Sequence, residues 1–142
     1  MTTTLLVDNS AWVRLADEAL SPDRSVEIAD AFEAGYIGVC LPFLLEAGYS
    51  ARSAREHDEL LTELLSLPRF EIDGDVEHRA LDAQRQLARI GHHRLPPVDL
   101  LVAAIADRHR LGVLHYDHDY DVLAERTDLT FESTWLAPAG SL

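Results

Sequence analysis

Three aspartates stand at every second position in Asp117-His118-Asp119-Tyr120-Asp121, directly after the stretch Val113-Leu114-His115-Tyr116. Carboxylates this close repel one another, and each hinders the others' ionisation unless a cation or a hydrogen-bond donor offsets the charge. One of Asp117 and Asp119 is accounted for as the N-cap of a helix over Tyr120–Arg126. A cap does not account for all three. Further acids lie at Asp8, Glu46 and Asp99. Asp8 ends the apolar run Thr4–Val7; it, Asn9 or Ser10 also fits as the cap of the helix that follows. Asp99 follows Pro96-Pro97-Val98 at the start of an apolar helix, where the helix dipole alone favours an acid. Glu46 lies inside the apolar segment Leu41–Tyr49, where a carboxylate is costly unless paired or metal-bound. Arg52, six residues on, falls on a different side of that helix.

Such carboxylates suit a hard cation, Mg²⁺ or Mn²⁺, which takes oxygen ligands and keeps several waters. A single ion would activate a water; two ions roughly 3.5–4 Å apart would clamp the attacking and leaving oxygens of a phosphodiester. Nothing points to covalent catalysis. The sequence has no Gly-x-Ser-x-Gly and no Gly-rich phosphate loop, and its one cysteine, Cys40, sits among apolar neighbours as a small core residue.

The elements that must position these acids follow from the hydrophobic periodicity. Strands are expected at Thr4–Val7, Tyr36–Cys40, briefly at Phe70–Ile72, from Val113 and, at one edge, over Leu129–Glu132. Helices are expected from Asn9 through Ala16, from Ser21-Pro22 to Gly35, from Leu41 to Ser50 and from Ser53 to Pro68. Two more run over Asp75–Ile90, closed by Gly91, and over Val98–Arg110, with Gly112 as its stop. Residues 134–142 read as an irregular tail to a single domain spanning 1–142. Strands alternating with helices make this an α/β fold with a mainly parallel sheet, whose ligands bind beyond the carboxyl ends of the strands.

The chain has 142 residues and a net charge of −13, with 25 acids against 12 basic residues, every one of them arginine. That total has the wrong sign for a protein that grips nucleic acid by overall charge. A bound divalent ion or a local cluster of arginines would reverse the sign where it matters. No run is apolar enough for a membrane span, and Met1–Asp8 lacks the basic and apolar regions of a signal peptide, so a cytoplasmic protein is expected.

The residues carry a family resemblance. Leu5-Leu6-Val7-Asp8-Asn9-Ser10, Glu46, Pro97-Val98-Asp99-Leu100 through Ala104, and His115-Tyr116-Asp117-His118-Asp119-Tyr120 occur in an order similar to that of the PIN-domain ribonucleases, and within them the VapC toxins of bacterial toxin–antitoxin pairs. The resemblance covers nearly the whole chain. It implies a three-layer α/β/α fold around a four- to five-stranded sheet. It implies an acidic site of Asp8, Glu46, Asp99 and Asp117, with Asp119 as neighbour or alternate ligand to Mg²⁺ or Mn²⁺, and Ser10 in support. It further implies endonucleolytic cleavage of RNA to a 5′-phosphate and a 3′-hydroxyl, neutralisation by a VapB-type antitoxin, and usually a homodimer. One departure stands out: His115 occupies a position where the family typically has Thr. It could touch a phosphate, orient an acid or simply pack.

The most basic region, Arg79 through Arg94, leads straight to Asp99, so Arg89, Arg94, His92 and His93 are candidate RNA contacts, with Arg52 and Arg55 as a second group. Asp75, Glu77 and Asp82 offer these helix arginines ordinary ion-pair partners. The Leu60–Leu67 stripe, with Phe43 and Tyr49, offers a hydrophobic groove or a dimer face, and most of those leucines read as core. A receiver domain is excluded by the absence of lysine, and a haloacid-dehalogenase-like phosphatase by Asp8-Asn9-Ser10 in place of Asp-x-Asp. A DNA-directed nuclease of the same fold would usually be longer, with extra helices for duplex that are not evident here. The serious non-enzyme rival is an inert PIN-like module that binds RNA or protein without cutting. It has no use for four clustered acids.

Overall fold

The computed structural model describes residues 2–142. A parallel sheet of β1 (Leu5–Val7), β2 (Ile37–Gly38), β3 (Gly112–His115) and β4 (Glu132–Trp135) lies at the centre, in the order β2-β1-β3-β4. Around it run α1 (Asn9–Trp12), α2 (Pro22–Glu33), α3 (Leu41–Tyr49), α4 (Ala54–Leu64), α5 (Gly74–Arg89), α6 (Pro97–His109) and α7 (Asp119–Arg126). This is the three-layer α/β/α arrangement expected from the sequence. Its two central strands are mostly apolar because both faces are covered: Leu6, Val7, Val113 and Leu114 are fully buried.

The register fixes the functional edge. Val7 pairs with Leu114, so Asp8 leaves β1 beside His115, the last residue of β3, and Asp8 N–H donates to Leu114 O at 2.9 Å. The close approach of β1, β3 and β4 requires Gly112, where a Cβ would lie 2.5 Å from Leu5 Cδ2 and 2.9 Å from Glu132 O. Gly112 is therefore a strand residue rather than the helix stop. The stop of α6 is Arg110, in the left-handed region at φ 59°.

Three further elements differ from expectation. The first helix closes after one turn at Trp12 and continues as turns, since Leu15 N–H reaches back to Trp12 O rather than one residue further. The strand expected at Phe70–Ile72 reduces to a single bridge between Val39 and Arg69. The last strand runs over Glu132–Trp135 instead of Leu129–Glu132, so Thr134 and Trp135 belong to the sheet and not to an irregular tail. An edge strand with a polar sequence carries no apolar alternation to reveal it. Arg24 clasps its end, donating from Nε to Leu136 O and from a terminal nitrogen to Trp135 O, both at 3.0 Å.

Candidate metal centre

Beyond the carboxyl ends of β1 and β3, three acids converge. Asp99 comes from the first turn of α6, Asp117 from the β3–α7 loop and Asp119 from the first residue of α7. Each offers a carboxylate oxygen, and these oxygens lie within 4.8 Å of one another. No arginine among the described residues pairs with any of them. The local fold aims the loop acids: Asp117 Oδ1 accepts Asp119 N–H at 2.9 Å, which closes the turn into α7. Asp99 is only 8% exposed. Burial, then the charges of Asp8, Asp117 and Asp119, push its carboxyl up to about 8. Burial followed by the Asp117 charge also raises Asp119.

Asp8 sits beside this group and is fully engaged. Its Oδ2 accepts Ser10 N–H at 3.0 Å and the Ser10 hydroxyl at 2.6 Å; its Oδ1 accepts the Tyr120 hydroxyl at 2.7 Å. The same hydroxyl is 3.4 Å from Asp99 Oδ1, so Tyr120 bridges the two acids. Ser10 Oγ in turn accepts Tyr116 N–H at 2.9 Å and ties α1 to the loop. Glu46 differs from the sequence argument. It is exposed rather than enclosed in apolar surroundings, because α3 buries Phe43, Leu44 and Ala47 and turns Glu46 outward. Burial of part of its carboxyl, then the charge of Asp8, raises its pKa, so the two acids sense each other.

His115 is fully buried behind the acids. Its Nδ1 accepts Asp117 N–H at 3.1 Å and its Nε2 meets Ser133 Oγ at 2.8 Å. Burial lowers its pKa to about 4 against the pull of Asp121, Asp8 and Asp117. Tyr120 stacks on the ring at 4.8 Å between centroids. The third aspartate of the run, Asp121, turns away from the cluster: it accepts from Ser133 Oγ at 2.7 Å and from Trp135 Nε1 at 2.9 Å.

The candidate RNA contacts divide. Arg94 and His92 line a groove with Leu95, Pro96, Val122 and Asp119, against the acidic cluster. Arg89, His93 and Arg52 are exposed and lie outside that groove. Arg79 is held by Asp75 and Asp107, Arg85 by Asp82 and Arg55 by Glu59. Sequence reasoning missed Tyr120, Ser133 and Asp121 as partners of the site. It also missed Arg14, which donates to Ser10 O at 2.7 Å and lies 4.8 Å over the Tyr116 ring. The only available signal for Arg14 was its place four residues after Ser10 at the start of a helix. Phe43, read as a surface candidate, is fully buried, whereas Leu41, Leu45 and Tyr49 are 52%, 65% and 90% exposed along one side of α3.

Residues 5–126 match the PIN domain family. The chain is 37% identical over 139 residues to Ribonuclease VapC18 of Mycobacterium tuberculosis, covering 96% of this chain and 97% of that protein. It is 39% identical over 127 residues to Ribonuclease VapC2 of the same species, covering 86% of each. Among solved structures, DNA-bound VapBC from Salmonella typhimurium superimposes with a TM-score of 0.72 at 17% identity, over 96% of this chain and 100% of that one. VapBC-5 from M. tuberculosis does so with a TM-score of 0.64 at 21% identity, over 94% and 100%. With residues 5–126 matching the PIN domain and near-full-length relatives above 35% identity, this chain belongs to the VapC branch of the PIN-domain family.

Proposed function

We propose that this chain is a metal-dependent endoribonuclease toxin, held inactive by a VapB-type antitoxin. The observation that carries the reading is the convergence of Asp99, Asp117 and Asp119 with no arginine among the described residues ion-paired to them. Three oxygen donors of this charge fit Mg²⁺, with Mn²⁺ as a substitute. When bound, the ion supplies Lewis-acid polarisation of a phosphodiester and acidifies a water for attack.

The chain's own residues do the remaining work. Asp99, Asp117 and Asp119 would hold the ion, and Asp8, fixed by Ser10 and Tyr120, adds its negative charge beside them. Glu46, exposed and near enough to Asp8 to feel its charge, is the chain's candidate to accept a proton from the attacking water at its carboxylate. Arg94 and His92 beside Asp119 receive backbone phosphates, which overcomes locally the repulsion of a chain with net charge −13. Arg89, His93 and Arg52 act at most as longer-range attraction.

Two surfaces fit the partners. A groove between α1, α3 and α4 has an apolar floor of Trp12, Val13, Ala47 and Leu60 and a rim of Glu56, Glu59 and Glu63, suited to a basic amphipathic antitoxin segment. The exposed row Leu41, Leu45 and Tyr49 fits a second copy of the chain. No described helix is long and apolar enough to cross a membrane.

The test is incubation of the antitoxin-free protein with total bacterial RNA in Mg²⁺, Mn²⁺ and EDTA, beside Asp117→Asn. Discrete fragments that need metal and vanish in the variant are expected. Intact RNA from a folded, metal-loaded protein across several RNA pools would favour an inert binding module.

A further inference from the structure

The polar chain behind the acidic cluster has only one self-consistent direction. Asp117 N–H is a backbone donor, so His115 Nδ1 must accept. A neutral imidazole then carries its proton on Nε2, which donates to Ser133 Oγ. The Ser133 hydroxyl therefore donates to Asp121 Oδ1, and Asp121 is anchored through its other oxygen by Trp135. The chain starts on the edge strand β4, crosses α7 and ends at the backbone of the loop that carries Asp117. The same ring supports a second acid. Tyr120 stacks on His115 with an interplanar angle of 29° and delivers its hydroxyl to Asp8.

We infer that His115, oriented by Ser133 and Asp121, is a positioning residue that fixes Asp117 for cation binding through the Nδ1 acceptor of its imidazole. His115 touches neither substrate nor ion in this arrangement; it acts through the Asp117 amide. Supports behind a ligand commonly matter by about 10- to 100-fold in metal affinity. The inference also gives the three aspartates of the run separate tasks: Asp117 and Asp119 face the cation, and Asp121 anchors the chain that aims Asp117. It rests on the metal-centre reading proposed above.

The test is Mn²⁺ titration of the full chain by calorimetry, with fold and thermal midpoint in EDTA checked by circular dichroism. His115→Asn places an oxygen near the Nδ1 position and keeps the acceptor for Asp117 N–H. His115→Gln places its polar head near the Nε2 position and loses that acceptor. The Gln variant is expected to bind Mn²⁺ about tenfold or more weakly than wild type, and the Asn variant within about threefold. Ser133→Ala, on the half-buried edge strand, is expected to weaken binding several-fold, and Ser133→Thr to restore it. Equal effects of Asn and Gln, or wild-type affinity in Gln, would overturn the inference. If a His115 variant does not fold, the Ser133 pair decides: wild-type affinity in Ser133→Ala refutes it. Absence of Mn²⁺ binding by the wild type itself would instead refute the metal centre.

Discussion

Removing one negative charge from the acidic cluster should stabilise the protein when no divalent ion is present. Asp99→Asn is the informative change, because Asn is isosteric and keeps an acceptor for Tyr120. Asp99 has carboxylate neighbours with oxygens within 4.8 Å. At an effective dielectric of about 20, a like-charge pair at that distance repels by about 3–4 kcal/mol. Asp117 and Asp119 are partly solvated, which screens the net gain to about 1–2 kcal/mol. For a chain of this size that is a rise of about 3–7 °C in thermal midpoint in EDTA at pH 8. The pH dependence has a definite sign. Asp99 has a folded-state pKa of about 8, above its ordinary 3.8, so the folded state binds the proton more tightly. Its contribution is therefore complete below about pH 4 and lost as pH rises to about 8. The difference between wild type and Asp99→Asn should shrink toward acid. Adding Mn²⁺ should reverse the order, raising the wild-type midpoint and leaving the variant nearly unmoved. Scanning calorimetry reads all of this. A variant less stable than wild type in EDTA, or one that gains as much from Mn²⁺, would refute the reasoning.

Arg94→Ala should raise KM for RNA about 3- to 10-fold with kcat within about twofold, and lessen the salt slope by about 0.7, the value for one contact to a single strand; an unchanged slope in a salt series would remove Arg94 from the interface. Arg24→Ala removes two charged donors to the end of β4 and should cost about 1–3 kcal/mol, seen as a lower urea midpoint. Leu45→Glu on the exposed side of α3 should shift sedimentation from dimer toward monomer and leave the fold intact by circular dichroism, since Leu45 is 65% exposed in the single chain. Leu64→Ala, at 1% exposure, should by contrast cost about 2–5 kcal/mol through the cavity left under α4.

The central strands were legible in the sequence because burial on both faces makes them continuous apolar runs, as in Leu5–Val7 and Val113–Leu114. The caps Ser21 and Ser53 and the turn at Gly91 follow directly from local chemistry. Asp117 and Asp119 stand out because an uncompensated run of acids at a strand end is costly without a use, whereas Asp99 alone reads as an ordinary acid at a helix start and is noticed only as one of the set. Glu46 shows the limit of that argument. Apolar neighbours in sequence do not bury a helical residue, because side chains one apart point about 100° away from each other. Edge strand β4 escaped because its residues are chosen for contacts at long sequence separation. Ser133 serves His115, and Trp135 serves Asp121. The role of His115 likewise depends on Ser133, eighteen residues distant, and no local pattern encodes that pairing.

The most direct measurement is an anomalous difference map from crystals of the protein soaked in Mn²⁺. The account predicts a peak at the carboxylate oxygens of Asp99, Asp117 and Asp119, at about 2.0–2.3 Å from them, that is lost in Asp117→Asn crystals. A peak elsewhere, or none at these acids in crystals of protein that cleaves RNA with Mn²⁺, would contradict it.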